Sequence, residues 1–158
     1  MASKKKLPSK TNKSHLHYKV VISDPHLNYF HVELTVKLKQ SVVLFHLPTW
    51  TPGSYLIRDY AGHLHNFSAT SLNGAPVEWR QTQLSTWEVK SDGKPFLIKY
   101  RVYSFENSVR TNFLDSEYGF INPPSLFLFP ENYLDNKIEV LCETNGHFKY
   151  IYSSLERK

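Results

Sequence analysis

The sequence predicts an all-β fold, either an antiparallel β-sandwich or a pair of saddle-like sheets, with at most one short helix. Three observations lead there. Aromatic residues are abundant, with ten Tyr, ten Phe and three Trp in 158 residues, and such side chains suit a pleated, half-buried surface. Apolar and polar residues alternate strictly from Phe30 to Leu38, the period of a strand with one buried and one wet face. Short segments of this kind are separated by turn signals, and no apolar stripe of helical period persists with suitable caps.

Taken in order, Tyr18, Val20 and Ile22 form a first alternating run, which Asp24-Pro25 breaks. Phe30, Val32, Leu34, Val36 and Leu38 then face one way, opposite His31, Glu33, Thr35 and Lys37. Val42–Leu47 is apolar on both faces and is expected to be a strand covered from both sides. Tyr55–Ala61 is the one candidate for a short helix. Asn73-Gly74 is a turn signal between strands at His63–Leu72 and Val77–Gln81, and Asp92-Gly93 is a second one after Trp87 and Val89. Phe96, Ile98, Tyr100 and Val102 alternate next. Ser125–Phe129, Ile138–Leu141 and Phe148–Tyr152 are expected to be the closing strands.

Charge is concentrated at the start. Lys4, Lys5, Lys6, Lys10 and Lys13 precede any acidic residue, and the remainder of the chain is close to neutral. Residues 1–14 are expected to be a disordered basic leader and residues 15–158 a single β domain. Such a leader attracts nucleic acid only weakly, so a nucleic-acid partner is not expected. The single cysteine, Cys142, excludes an internal disulfide, and no apolar run is long enough to span a bilayer or serve as a signal peptide. These features point to a reducing, cytoplasmic setting and no membrane partner.

Chemistry-bearing patterns are sparse. His15-x-His17 and His63-x-His65 place imidazoles at strand spacing, where two could share one ion, but each lacks a third ligand and a general base. Gly53-Ser54 has no nucleophile-elbow flanks. Cys142 lies in an alternating strand and suits a partly buried small residue. Asp115 and Glu117 fit a loop of surface acids. No glycine-rich phosphate loop is present, and neither a catalytic residue nor a metal or cofactor ligand is assigned within the chain.

Two segments stand out. Leu47–Ala61 combines Pro48, Pro52 and Gly53 with Trp50, Tyr55, Arg58, Asp59 and Tyr60. Val109–Asp115 leads through Gly119-Phe120-Ile121-Asn122 to Pro123-Pro124-Ser125-Leu126-Phe127-Leu128. Rigid loops that carry Arg, Asn, Tyr and Ser are common places for binding groups, although such polar groups also pair internally.

These segments resemble the N-terminal domain of glycyl aminopeptidase-type metallopeptidases, whose members often end in a PDZ domain. Pro52-Gly53-Ser54-Tyr55-Leu56-Ile57-Arg58-Asp59-Tyr60 carries most of the likeness. Ser108-Val109-Arg110, Leu114-Asp115, Gly119-Phe120-Ile121-Asn122 and Ser125-Leu126-Phe127-Leu128 extend it. Where family members often have Asn-Gly-Thr, this chain has Asn122-Pro123-Pro124-Ser125, a change that stiffens the loop.

The resemblance implies a β domain packed against a thermolysin-like catalytic domain that holds zinc through His-Glu-x-x-His and a downstream Glu. This chain stops before that motif. It is expected to be the non-catalytic N-terminal domain of a zinc aminopeptidase, an excised or truncated piece that lines the substrate cleft and supports the catalytic domain. Its expected partners are that catalytic domain and, in the parent enzyme, a peptide substrate. Tyr55, Arg58, Asn122 and Ser125 are the candidate substrate-binding or interdomain residues. The alternative is a free-standing β-sandwich module that binds carbohydrate or peptide, with Trp50, Trp79 and Trp87 as stacking platforms.

Overall fold

Strict alternation works here because it puts every second side chain of one strand into a shared core. In the computed structural model, which describes residues 16–51, 55–133 and 137–156, eleven strands form two main sheets and a small ribbon. The strands are β1 (Leu16–Val21), β2 (Tyr29–Val36), β3 (Val42–His46), β4 (Leu64–Ser71), β5 (Glu78–Gln83) and β6 (Thr86–Lys90), followed by β7 (Phe96–Tyr103), β8 (Phe113–Leu114), β9 (Gly119–Phe120), β10 (Phe129–Pro130) and β11 (Ile138–Glu143). The five-stranded sheet has the order β11-β1-β2-β7-β4 and the four-stranded sheet β10-β3-β6-β5, while β8 and β9 form the ribbon. Pairings are antiparallel apart from β1 with β11, which run parallel. The all-β, sandwich-like architecture expected from the sequence is the one observed.

The alternating face of β2 is sealed. Phe30, Val32, Leu34 and Val36 are buried, opposite Phe96, Ile98, Tyr100 and Val102 of β7. Val43, Phe45, Trp87 and Val89 supply the facing layer from the second sheet, and the Phe45 and Phe96 rings meet edge-on at 6.0 Å between centroids. Each such side chain contributes roughly 1.5–3 kcal/mol through burial. The outward residues of β3 depart from the expectation of a strand covered on both faces. Val42 is exposed and Leu44 only half-buried, so that side is not sealed.

Both Asn73-Gly74 and Asp92-Gly93 form turns, and Asn73-Gly74 closes a short antiparallel hairpin in which the Ser71 N–H donates to the Ala75 carbonyl and the Val77 N–H to the Ala69 carbonyl. β4 and β7 belong to the first sheet, β5 and β6 to the second, so each turn carries the chain across the sandwich. At Gly93, φ is +72° and an added Cβ would lie 2.9 Å from the Lys39 carbonyl oxygen, so both conformation and space demand glycine.

Three expected elements differ. Tyr55–Ala61 is not a helix. The Arg58 N–H turns back to the Thr49 carbonyl at 2.8 Å, and a 3₁₀ turn begins only at Tyr60 and ends at His63. Pro123–Ser125 is also a 3₁₀ turn, since two successive prolines lack the N–H donors of a sheet ladder, and only Phe129–Pro130 of that stretch is strand. Phe148–Tyr152 forms no strand. A turn closed by the His147 N–H on the Thr144 carbonyl ends β11 and redirects the chain.

Leu126–Leu128 is irregular yet deeply placed. The Pro123 carbonyl accepts its Leu126 and Phe127 N–H groups, and two phenols of the first sheet engage three further backbone groups. Tyr18 donates to the Leu128 carbonyl at 2.7 Å, Tyr100 donates to the Leu126 carbonyl at 2.9 Å, and the Leu128 N–H donates to the Tyr100 oxygen. This anchoring fixes the loop that leads into the candidate site.

Candidate functional site

The two singled-out segments meet at one end of the sandwich. The first is braced at its base by the Arg58–Thr49 backbone bond and by Asp59, whose carboxylate accepts the Gly62 N–H at 3.1 Å. Tyr60 is thereby turned inward, and its hydroxyl donates to the Arg110 carbonyl at 2.8 Å. The second segment is knit by amides. Asn112 is buried, accepts the Asn122 N–H at 2.9 Å and donates to the Ser125 carbonyl at 3.1 Å. Asn122 Nδ2 donates to the Arg110 carbonyl at 2.6 Å, and Ser125 Oγ donates to the Asn122 carbonyl at 2.9 Å.

Of the four candidate residues, Asn122 and Ser125 are brought together, and both use their side chains internally. Ser125 is buried, so its hydroxyl serves the loop itself. Tyr55 is fully exposed and stands next to Leu56 and Ile57, which are 60% and 84% exposed. Arg58 is half-buried, and its Nε is buried without a hydrogen-bond partner among the described residues. Nor does it form an ion pair there with Asp59 or Asp115. The Asp59 carboxylate is occupied by Gly62 N–H, and Asp115 caps the Glu117 and Tyr118 N–H groups. Pro52, Gly53 and Ser54 of the same signature lie outside the described residues.

Between these segments lies a cavity of about 290 Å³, walled by Tyr60, His63, Tyr103, Phe105, Asn112 and Ser125, with Glu106 beside it. Its lining is mostly apolar. A second hollow of about 200 Å³ lies beside it, lined by Val109, Phe113, Tyr118 and Phe120. Stacked and tilted rings of Phe105, Phe113 and Tyr118, at centroid spacings of 5.6 and 4.9 Å, form the partition between them.

The arrangement can bind or dock. Burial raises the pKa of the Cys142 thiol, so it is held protonated rather than activated. Among the described residues no three His, Cys, Asp or Glu side chains converge as a metal-binding group, and the zinc implied by the resemblance has no fitting ligand set there. His17 bonds Glu139 at 3.0 Å, His63 lies on the cavity wall, and His15 is outside the described residues. The three tryptophans do not form one stacking surface. Trp87 is buried and Trp79 packs on Phe67 at 4.6 Å, while Trp50 is 51% exposed.

Sequence reasoning selected Asn122 and Ser125 but passed over Asn112, the buried residue that holds both, and Tyr60, which shares the Arg110 carbonyl with Asn122. Both lie in the same two segments. A buried Asn in a proline-rich loop region is a usable signal only once burial is known.

The fold defines an all-β sandwich domain, and comparison with known proteins gives its family. The profile of the Peptidase M61 N-terminal domain matches residues 17–158. The chain belongs to that family, the N-terminal domain of a gluzincin-type peptidase. The crystal structure of an aminopeptidase N family protein from Idiomarina loihiensis is similar, at 32% sequence identity and a TM-score of 0.79. That match covers 84% of this chain and 22% of the other, so the chain spans about a fifth of that protein's length. Among curated proteins none matches. No helix among the described residues is long and apolar enough to cross a membrane.

Proposed function

We propose that this chain acts as the N-terminal β domain of a zinc-dependent aminopeptidase, forming one wall of the substrate cleft and steadying a catalytic domain that lies outside the 158 residues. The observation that carries this reading is the family match over residues 17–158 together with its small share of the similar aminopeptidase family protein. The loop end of the sandwich supports it. Tyr55 and Ile57 project there, and Arg58 keeps a buried Nε unpartnered among the described residues.

In this arrangement Arg58 receives a carboxylate from the catalytic domain, and Tyr55 and Ile57 pack against an apolar counterpart. Asn122 and Ser125 act by fixing the loop that borders the cavity. The catalytic domain supplies the zinc and the general base that cleave N-terminal residues from peptides. The single cysteine, protonated and partly buried, fits a reducing cytoplasm.

The test is complementation. The chain is mixed with the catalytic portion of a family enzyme that lacks its own β domain, and zinc-dependent aminopeptidase activity is followed. Binding with a gain in turnover is expected, and Arg58→Ala should raise KM or lower that turnover. Zinc-dependent hydrolysis by the chain alone, or failure to bind the catalytic portion, would overturn the proposal.

A further inference from the structure

The outer face of the five-stranded sheet carries charges that are matched across strands. Lys19 pairs with Glu143 at 2.9 Å, Lys99 with Glu33 at 2.7 Å and His17 with Glu139 at 3.0 Å. One row breaks this pattern. His31 on β2, Arg101 on β7 and His65 on β4 are direct cross-strand partners. Their side chains therefore leave the same face of the sheet, with neighbouring Cβ atoms roughly 5 Å apart.

No carboxylate lies within ion-pair distance of Arg101 among the described residues, and its Nε is buried there without a hydrogen-bond partner. The guanidinium is nevertheless held in place. Its central carbon lies 4.3 Å from the centroid of the Tyr29 ring, which is itself braced edge-on by His65 at 5.9 Å and Tyr103 at 5.4 Å. Val21 of β1 fills the next place in the row, and Glu33 and Glu143 are engaged by Lys99 and Lys19.

A planar fork fixed over an aromatic ring, flanked on both sides by imidazoles and left without an acid, matches a multivalent oxyanion. We propose that Arg101, His31 and His65 form a binding site for a tetrahedral oxyanion, either phosphate or the phosphate group of a monoester. Arg101 supplies the charge and the paired N–H donors, and the two histidines donate from either side. The site adjoins the loop-end cavity through Tyr103 but does not depend on the aminopeptidase reading. Burial and the charge of Arg101 hold the His31 pKa below its ordinary value, so an anion that offsets that charge raises it.

The experiment is an NMR titration of the histidine Cε1–H signals of the 158-residue chain with inorganic phosphate at constant ionic strength. Expected are saturable shifts at His31 and His65, none at His17, and an upward move of the His31 titration midpoint. Arg101→Met should weaken binding by about tenfold or more, the loss of a charge-assisted bidentate contact. His65→Gln, a change at an exposed side chain, should weaken it less and guards against a misfolded Arg101 variant. Glycerol phosphate is titrated in parallel. Binding as tight as, or tighter than, free phosphate assigns the site to a phosphorylated ligand, and weaker binding assigns it to phosphate itself, both upholding the site. Shifts reproduced by sodium chloride, acetate binding as tightly as phosphate, or unchanged affinity in both variants would overturn it.

Discussion

Tyr60 and Asn122 share one acceptor. The Arg110 carbonyl receives the Tyr60 hydroxyl at 2.8 Å and Asn122 Nδ2 at 2.6 Å, which ties the two loops to a single backbone atom. The position of the loop end therefore depends on a few polar contacts rather than on a ladder of strands.

Asn112 holds this knot from inside and should be its most sensitive member. Asn112→Ala leaves the Asn122 N–H and the Ser125 carbonyl without their partner at a residue only 3% exposed. A loss of about 2–3 kcal/mol in urea denaturation is expected. Tyr60→Phe leaves the Arg110 carbonyl its Asn122 bond and should cost only about 1 kcal/mol.

The two glycine turns should respond differently. Gly74 has open space around an added Cβ, so Gly74→Ala meets only the strain of φ +88° and should cost about 1 kcal/mol. Gly93→Ala adds a clash with the Lys39 carbonyl at 2.9 Å and should lower Tm clearly more.

Arg58 should be more valuable to the assembled enzyme than to the isolated domain. Its buried Nε has no partner among the described residues, so Arg58→Met should leave the chain's own stability within about 0.5 kcal/mol or raise it. The same change should weaken binding to the catalytic portion in a pull-down.

Alkaline pH should unfold the domain through two phenols. Burial pushes Tyr18 and Tyr100 far above the ordinary phenol value of 10.0. Because the folded pKa values are raised, their contribution to stability is complete below about pH 10 and is lost as the pH rises beyond it. Absorbance at the phenolate band should show Tyr18 and Tyr100 ionising only as the chain unfolds. Tyr100→Phe should move that step.

The acid side depends partly on His31, whose pKa is held below the usual 6.5 by burial and then by the charge of Arg101. With the folded value depressed, its contribution to stability is complete above pH 6.5 and declines as the pH falls toward the folded pKa. His31→Gln should flatten the pH dependence of Tm over that interval.

Much of the fold is legible along the chain because a strand's buried face is encoded locally, in every second residue. Phe30–Val36 and Phe96–Val102 show this, and both alternating faces are sealed as their patterns require. The candidate site is legible only in outline. Asn122 and Ser125 stand out in an unusual loop, but their partners Tyr60, Arg110 and Asn112 are distant in sequence and become visible only when the loops meet. The two prolines after Asn122 likewise predict stiffness, not the 3₁₀ turn that buries Ser125.

The sequence by itself determined the strand-rich class, the buried faces, the turn positions and, through the Pro52–Tyr60 signature and its companions, the family likeness. Tertiary structure alone decided which strands share a sheet. Asn73-Gly74 closes a short hairpin across Thr70 and Pro76, yet both it and Asp92-Gly93 lead from one sheet to the other, because a turn fixes a reversal of direction and not the sheet that the chain then joins. It also decided the row of His31, Arg101 and His65. Those residues are far apart in the chain and meet only through cross-strand register, which is set by long-range pairing and burial rather than by local sequence.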